Sequence, residues 1–374
     1  MVRSTPAAGQ HGTERSGSAS VCVIMRSSSN TPSGADTPPR PRASINDVAE
    51  HAGVSAQTVS RVANGQTNVR PSTRERVQAS MRALGYRPNS AARNLKSGRF
   101  RSIGFVTFNL ATLGTERTLN AIAEASEAAG YTTTLLPVKD PTQSDVAGAF
   151  SRLEEQAVDG IILVMSAKID SLDELKLTAG LPLVIVDSDA NLPYTIVDTD
   201  QEQGAQIALQ HLLDLGHRDI AHISGPSTSF SAKRRAAAYR QIMFDAGLPA
   251  RPVLVGDWTA SSGLARTREL LASDQPPTAV FAGNDQMALG AMHAIHEHGW
   301  SVPGDVSVVG FDDTDDAASY WPALTTVHQN FDAVGRQATR LLLSIIDGEP
   351  SETQKILIPT RLVVRESTGP VRHA

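Results

Sequence analysis

Two short segments near the start of the chain carry apolar residues at helical spacing. The apolar positions of the first segment are Ile45, Val48, Ala49 and Ala52. Ser44 stands where it can cap this segment, and Gly53 interrupts the pattern after it. Ser55 can cap the second segment, in which Val59 and Val62 face inward. The spacing therefore predicts two short helices joined by a turn that contains glycine.

A third helix is predicted a few residues later. Ser72 and Glu75 have the spacing of a capping box, and Gly85 ends the segment. The apolar positions between them are Val77, Met81 and Leu84. Three short helices with a glycine turn between the first two correspond to the helix-turn-helix arrangement.

From residue 102 onward, short apolar runs alternate with helical patterns. The strand candidates are SIGFVTF, YTTTLLP, GIILVM, LVIVD, DIAHIS, TAVFA and DVSVVGF. The helical patterns include Leu119–Ala129, Glu202–Leu215 and Gln286–His298. This alternation predicts parallel sheets with helices on both faces, and the length of the region favours two α/β lobes over one.

The composition adds the cellular setting. The chain has 374 residues, of which 40% are apolar and 20% charged, as in ordinary globular proteins. No apolar run approaches the ~18 residues that span a bilayer, and the run from Val21 to Met25 is too short for a signal peptide. The single cysteine, Cys22, allows no internal disulfide. We therefore expect a cytoplasmic protein.

Charge is distributed unevenly along the chain. Residues 44–101 contain ten Lys or Arg against three acidic residues, a local charge of +7. Residues 1–43 contain five basic and two acidic residues, so the remainder must carry −15 for the total to reach −5. A basic head on an acidic body indicates that the head meets a polyanion, although a merely solvated basic face would give the same count.

The second predicted helix has side chains that can read DNA. Gln57 can pair with adenine, Arg61 with guanine or a phosphate, and Ala56 can touch a thymine methyl. Short polar side chains beside them suit phosphate contacts. The candidate DNA-binding residues of this helix are Ser55, Ala56, Gln57, Thr58, Ser60, Arg61 and Asn64.

Residues 89–97 predict one more short helix, which Asn89 can cap and Gly98 ends. So short a helix is unstable alone in water, and it can serve as a hinge that folds only on a partner. A plain interdomain linker is the alternative interpretation of this segment.

Polar residues follow several of the apolar strands directly. Asn109, Asp187, Asn284 and Asp312 stand at the carboxyl ends of strands, where open parallel sheets bind ligands. Arg235 and Trp258 lie in the same region of the chain. Carboxylates, a guanidinium and an indole suit a polyhydroxyl ligand. Singly, each Asp or Asn is also a common helix N-cap.

Enzymatic and metal-dependent functions find little support. The chain has no Gly-x-Gly-x-x-Gly, no P-loop and no Gly-x-Ser-x-Gly. His293, His296 and His298 do not all share one helix face, so we predict no metal site there. No catalytic residue and no cofactor is expected.

Several stretches together resemble the lactose-repressor family of bacterial transcription factors. They are INDVAEHAGVSAQTVSRVANG, GYRPNSAARNLKSG, LLDLGHRDIAHISGP, GDWTASSG, NDQMALGAM and SVVGFDDTDDAASYWPALTTV. The resemblance runs from about Ser44 to Glu366. The motifs of the effector region resemble those of lactose-responsive members more than those of purine- or ribose-responsive members.

The resemblance implies a domain organisation. It implies a helix-turn-helix domain at 44–88, a hinge helix at 89–98, and an effector-binding and dimerisation domain at 99–374 with two lobes of periplasmic-binding-protein type. Residues 1–43, rich in Ser, Pro and Gly, are predicted to be a disordered tail. The protein would act as a homodimer on a near-palindromic operator, with no membrane partner.

Roles for individual residues also follow from the resemblance. Ala56, Gln57 and Arg61 would read bases, and Leu95, with Ala92 beside it, would wedge into the minor groove. A sugar, possibly a galactoside, would occupy a site made by Asp187, Arg235, Trp258, Asn284, Asp312, Gln329 and Phe331. It would release a repressor of sugar-utilisation genes from its operator.

Some features depart from the family pattern or leave alternatives open. Ala56 replaces a larger aromatic residue, and Phe108 replaces part of a serine-containing loop, so neither the half-site nor the sugar follows from the resemblance. No counterpart of the family's Leu-rich tetramerisation helix is recognised, so we expect a dimer. A sugar-transport protein would share the lobes but not residues 44–97. A corepressor-type regulator, which binds DNA only with its ligand, is the alternative function.

Overall fold

The computed structural model describes residues 43–64, 66–86, 98–108, 110, 112–138, 142–165, 181–188, 193–349 and 352–371. These residues belong to two compact units that divide between Phe100 and Arg101. Apart from Ala43 and Gly98, the predicted tail and hinge lie outside the described residues, as do Ala92, Leu95 and Asn109.

The first unit contains the three predicted helices. They are α1 (Ile45–Ala52), α2 (Ala56–Ala63) and α3 (Pro71–Ala83). Ser44 and Asp47 form a reciprocal capping box on α1, and Gly53 ends this helix with φ +64°, a conformation that glycine adopts without strain. Val48, Val59 and Val77, one from each helix, are fully buried in a shared core.

The capping box predicted for α3 is wrong. The helix begins two residues earlier than this capping box requires, with Pro71 at its first position and Arg70 as an N-cap that makes no side-chain hydrogen bond. Ser72 and Glu75 therefore lie inside the helix. Proline fixes φ near the helical value and lacks the N–H that a cap would satisfy, so Pro71 determines where the helix starts.

The second unit contains two α/β lobes. The strands of lobe 1 are β1 (Ser102–Thr107), β2 (Thr132–Pro137), β3 (Gly160–Val164), β4 (Leu183–Val186), β5 (Thr195–Thr199) and β11 (Lys355–Ile358). Its helices are α4 (Leu113–Ala128), α5 (Gln143–Glu155) and α10 (Phe331–Ile346). The sheet order is β11-β5-β4-β3-β1-β2, and every neighbouring pair is parallel.

Lobe 2 repeats this arrangement. Its strands are β6 (Ile220–Ser224), β7 (Leu254–Val255), β8 (Ala279–Ala282), β9 (Ser307–Asp312), β10 (Thr325–His328) and β12 (Arg361–Val363). Its helices are α6 (Gln201–Asp214), α7 (Phe230–Asp245), α8 (Ala260–Leu271) and α9 (Asp285–Glu297), with a short 3-10 helix at Asp315–Ser319. The order is β12-β10-β9-β8-β6-β7, and β12 pairs antiparallel with β10.

The α/β architecture with a helix-turn-helix head and two parallel-sheet lobes confirms the predicted fold class. Alternate residues of β3 enter separate cores, Ile161 and Leu163 on the side of α5, and Ile162 and Val164 on the side of α4 and α10. Because both faces of each sheet are covered, inner strands such as β3, β4 and β8 are apolar throughout, as the sequence pattern indicated. The antiparallel edge strand β12 was not predicted.

The chain passes between the lobes three times, from β5 to α6, from β10 to α10 and from β11 to β12. The crossings are hydrogen-bonded to one another. Gln201 Nε2 donates to Gln329 Oε1 at 3.1 Å, and the Asp200 amide donates to the Ile358 carbonyl at 2.8 Å. In the described part of the chain, no helix is both long and apolar enough to cross a bilayer.

Candidate functional site

Helix α2 presents two unengaged polar side chains. Gln57 is exposed and Arg61 half-buried, and their four-residue spacing puts them on one face of the helix. Neither side chain makes a hydrogen bond or ion pair with any residue in the described parts of the chain. Both are therefore available to an external partner.

The other candidate residues of α2 are partly committed to the helix itself. Ser55 Oγ accepts a hydrogen bond from the Thr58 amide at 3.2 Å and lies 3.0 Å from Thr58 Oγ1. Asn64 Nδ2 donates to Ser60 Oγ at 3.3 Å. Ala56 is half-buried and packs against the core of the three-helix unit. These residues shape the helix and its termini, whatever else they contact.

A cavity of about 680 Å³ lies between the two lobes. All seven residues that the sequence analysis assigned to a ligand line it: Asp187, Arg235, Trp258, Asn284, Asp312, Gln329 and Phe331. Asp187 directly follows β4 and Asp312 ends β9, so the carboxyl ends of strands from both lobes meet at this cavity. Its volume is within the range of small-molecule sites.

Two aromatic walls of the cavity each rest on a glycine. A β-carbon on Gly225 would stand 2.1 Å from Trp258 Cζ2, and one on Gly114 would stand 2.9 Å from Phe331 Cε1. Only glycine allows the indole and the phenyl ring to come so close to the backbone. The sequence analysis missed both glycines, since their role depends on contacts between distant segments.

Two carboxylates of the cavity are buried, and this burial penalises their charged forms. Burial and the neighbouring Asp198 raise the pKa of Asp187 to about 7, against the opposing charges of Arg234 and Arg235. Asp187 Oδ1 is buried and has no hydrogen-bond partner in the described structure. Burial also raises the pKa of Asp312 to about 6, although the charge of Arg235 opposes it. A ligand that donates hydrogen bonds would relieve this penalty.

Arg235 is the cation at the centre of the site. Its Nε donates to Gln201 Oε1 at 2.8 Å and its Nη1 donates to the Gly283 carbonyl. The guanidinium lies 3.6 Å from the ring centroid of Phe311. These contacts fix the side chain and use two of its five N–H groups, so the others can face a ligand.

The two amides of the predicted site hold other members in place. Asn284 caps α9 by accepting from the Met287 amide, and its Nδ2 donates to the Trp258 carbonyl at 3.0 Å. Gln329 Nε2 donates to Asp312 Oδ1 at 2.6 Å. Asn284 thus anchors the loop of the indole, and Gln329 orients a carboxylate.

Further polar residues complete the lining without having been predicted. They include Asp198, Thr199, Gln201, Thr228, Ser229, Ser231, Asp257 and Gln286. Thr199 and Gln201 come from the first crossing between the lobes, and Ser229 caps α7. Phe108, whose effect on the ligand the sequence left open, also lines the cavity.

The described residues contain no cluster of three or more His, Cys, Asp or Glu arranged to hold a metal ion. His293 Nε2 lies 3.5 Å from Glu297 Oε1, and the ring of His298 packs edge-on against Trp300.

Two family profiles match the chain. Residues 44–89 match the family described as "Bacterial regulatory proteins, lacI family", and residues 209–368 match the "Periplasmic binding protein-like domain". The chain is 36% identical over 325 residues to the lactose operon repressor of Escherichia coli (strain K12), which covers 86% of this chain and 89% of that protein. It is 36% identical over 338 residues to the HTH-type transcriptional regulator CelR of Thermobifida fusca, covering 88% and 99%.

Solved structures extend the similarity to three dimensions. The lac repressor dimer bound to operator and the anti-inducer ONPF superposes with a TM-score of 0.81 at 34% identity, covering 87% of this chain and 99% of that one. The CelR–cellobiose complex superposes with a TM-score of 0.66 at 33% identity, covering 87% and 100%.

Proposed function

The chain belongs to the lacI family of bacterial regulatory proteins, and from this premise we propose that it is a transcriptional repressor whose sugar effector releases it from operator DNA. In this proposal, residues 44–88 bind DNA, residues 89–98 form the hinge, and residues 99–374 bind the effector and dimerise. The protein acts in the cytoplasm, where the operator is, and has no catalytic role.

The convergence of seven predicted side chains on one cavity carries the effector part of the proposal. Carboxylates accept hydrogen bonds from hydroxyl groups, Arg235 donates to adjacent oxygens, and Trp258 can cover the apolar face of a sugar ring. The lac repressor neighbour holds ONPF and the CelR neighbour holds cellobiose, at nearly equal identity to this chain. We therefore propose a small sugar, with galactosides and cellobiose as the first candidates.

The free face of α2 carries the DNA part. Gln57 and Arg61 project from a two-turn helix in a region of local charge +7. Amide and guanidinium side chains are those that read adenine and guanine in the major groove, and the surrounding positive charge attracts phosphates.

An apolar patch on lobe 2 supports the homodimer. It comprises Leu264, Leu289, Met292, Trp300, Val302 and Trp321, which line a second cavity of about 700 Å³. The side chain of Trp321 is 94% exposed. An apolar patch of this kind marks an interaction surface in a protein that otherwise covers its core.

The test begins with selection of binding sites from random DNA by the full-length protein. We expect near-palindromic sites, bound with an affinity that falls by about 10³-fold or more between 50 and 200 mM salt. Lactose, D-galactose and cellobiose are then titrated into the complex. Release of the DNA by one of these sugars supports the proposal, whereas tighter DNA binding indicates corepression instead. An affinity for DNA that does not change with salt concentration contradicts the DNA-binding part of the proposal.

A matched pair of variants tests the assigned face of α2. Gln57→Ala should relax base preference at one symmetric position of the site, at about 1–3 kcal/mol per contact. Gln78→Ala, which removes an exposed amide from α3, is the control and should select the same sites as the wild type. Unchanged preference in the Gln57 variant would show that another face of the helix reads the DNA.

A further inference from the structure

The amino-terminal turn of α7 belongs to lobe 2 in sequence but contacts lobe 1. Phe230, the first residue of the helix, is 6% exposed and packs in the lobe 1 core with residues such as Ile185 and Ile196. Arg234 lies one helical turn later, on the same face of α7. This face therefore bridges the lobes with an apolar and a charged side chain.

Two hydrogen bonds join Arg234 to the described part of lobe 1. Its Nη1 pairs with Asp198 Oδ2, on β5, and its Nη2 donates to the Ser188 carbonyl, just after β4, at 2.6 Å. The side chains of Arg234 and Asp198 are only 9% and 3% exposed. Asp198 Oδ1 also accepts from the Thr199 amide at 2.7 Å. The ion pair thus joins the two lobes in surroundings that are almost closed to water.

We propose that Arg234 is a positioning residue that clamps lobe 2 onto lobe 1, and that the closed cleft held by this clamp is the state that binds the effector. Arg234 does not line the cavity, whereas Asp198 and the neighbouring Arg235 do. The clamp, defined as Arg234 with Asp198 and the Ser188 carbonyl, therefore acts on the effector through the relative placement of the lobes.

The physical reason is the burial of the charges. Removing one partner of a buried ion pair leaves the other uncompensated, and opening the lobes is the simplest way to return it to water. For an effector that requires the closed state, the apparent Kd rises as the inverse of the closed fraction. A variant that is closed one-tenth of the time should thus show about a tenfold higher Kd.

A second interlobe ion pair provides the matched control. Nη2 of Arg117, on α4 of lobe 1, lies 2.5 Å from Oδ1 of Asp315 in lobe 2. Asp315 is 93% exposed, so water can replace this contact, and exposed ion pairs contribute little. Arg117→Gln should therefore change affinity by less than about twofold, whereas Arg234→Gln should raise Kd about tenfold or more.

The experiment measures lobe separation and affinity on the full-length protein. In a Cys22→Ser background, cysteines replace the exposed residues Asn120 (α4) and Asp316 (3-10 helix) and are labelled with nitroxides. Pulsed electron paramagnetic resonance then measures the distance between the two labels, which reports the separation of the lobes. An excess of unlabelled protein ensures one labelled protomer per dimer. Calorimetry gives the Kd of whichever of lactose, D-galactose and cellobiose the wild type binds most tightly.

We expect Arg234→Gln and Asp198→Asn each to widen the ligand-free separation and to weaken sugar binding. The double variant, with two neutral amides that can pair, should recover part of both losses, so the effects are not additive. If one of the single variants fails to fold, the double variant still allows the clamp to be tested. Unchanged separation in Arg234→Gln, or additive losses in the double variant, would overturn the clamp.

The affinity half of the inference rests on the proposed function, and the two can fail separately. If the wild type binds none of the three sugars, the proposed effector class is wrong, while the ligand-free separations still decide whether the clamp exists. If the separation widens in Arg234→Gln but sugar affinity stays the same, the clamp exists but does not define the binding state, which overturns the second half.

Discussion

At the scale of single residues, His222 shows how burial controls an ionisable group. Its ring is fully buried on β6, stacks on Phe281 at a centroid distance of 4.6 Å, and bonds the Phe281 carbonyl through Nδ1 at 2.9 Å. Nε2 has no partner in the described structure. Burial, together with the charges of Arg235 and Arg240, lowers the pKa of His222 to about 4.

This pKa shift predicts acid sensitivity with a definite sign. Between about pH 6.5 and 4 the unfolded chain binds a proton at His222 that the folded protein refuses, so the free energy of unfolding falls as pH drops, by about 3 kcal/mol in all. His222→Leu should remove this loss. Chemical denaturation of variant and wild type at a series of pH values measures the difference directly.

The comparison with wild type at each pH is needed because other buried groups act in the opposite direction. Burial raises the pKa values of Asp187 and Asp285 to about 7, so their stabilising contribution is present at low pH and lost as pH rises through 7. Phe281→Leu, which weakens the same stack without removing a titrating group, is the control. A stability difference between His222→Leu and wild type that does not vary with pH would contradict the prediction.

The residue scale also shows what the sequence could reveal of the cavity. Asp187 and Asp312 were predictable because each ends an apolar strand, and strand ends of parallel sheets meet at one edge. Asp198 and Arg234 were not, since an ion pair between residues 36 positions apart leaves no local pattern. Arg235 was predicted as a site residue, whereas its neighbour Arg234 was not. Only the structure shows that Arg234 contacts lobe 1 while Arg235 contacts residues of lobe 2.

At the scale of elements, the start of α2 combines a structural and a proposed binding role. Ser55 caps the helix, and a cap contributes about 1 kcal/mol. Ser55→Ala should therefore speed hydrogen exchange of the α2 amides. Ser55→Asp keeps the cap but adds a negative charge, so it should leave exchange unchanged while weakening operator binding about tenfold at fixed salt, for all DNA sequences.

The two variants separate the roles because alanine removes the cap and aspartate keeps it. Wild-type operator affinity in Ser55→Asp would mean that residue 55 does not face a phosphate. Normal exchange in Ser55→Ala would mean that the remaining hydrogen bonds hold the helix without the cap.

Elements differed in how well their sequences predicted them. Strands β3 and β8 are uninterrupted apolar runs and were identified, whereas β5, which reads TIVDT, was missed because three of its five residues are polar. Those polar residues are nonetheless buried, and one of them is Asp198. A buried strand is recognised in a sequence by its run of apolar residues. The polar residues that β5 contributes near the cavity interrupt that run, so the sequence pattern did not reveal the strand.

At the scale of the whole molecule, the charge distribution and the proposed dimer act together. The positive charge is in residues 1–101 and the remainder carries −15, so the body should be repelled by the DNA that the heads bind. One head alone offers only a two-turn helix to the groove. In the proposed dimer, two heads would engage both half-sites, and the second engagement would be intramolecular, which raises affinity by orders of magnitude.

Disrupting the apolar patch of lobe 2 should therefore affect DNA binding without affecting the cleft. Trp321→Glu and Leu289→Asp place charges where apolar surface would be buried between protomers, so both variants should sediment as monomers at micromolar concentration. Operator affinity should fall about a hundredfold or more, because only one half-site is held at a time. Sugar affinity, measured by calorimetry, should remain within about twofold, since neither residue lines the cavity between the lobes.

Phe244→Asp controls for the loss of exposed apolar surface as such. Phe244 is 77% exposed on α7 and does not line the apolar patch. If the patch is the dimer interface, this variant should remain a dimer and bind operator as the wild type does. Dimers of Trp321→Glu at wild-type affinity would place the interface elsewhere. Monomers that still bind the full operator as tightly as the wild type would show that one head suffices, and that the near-palindromic site is not read by two protomers at once.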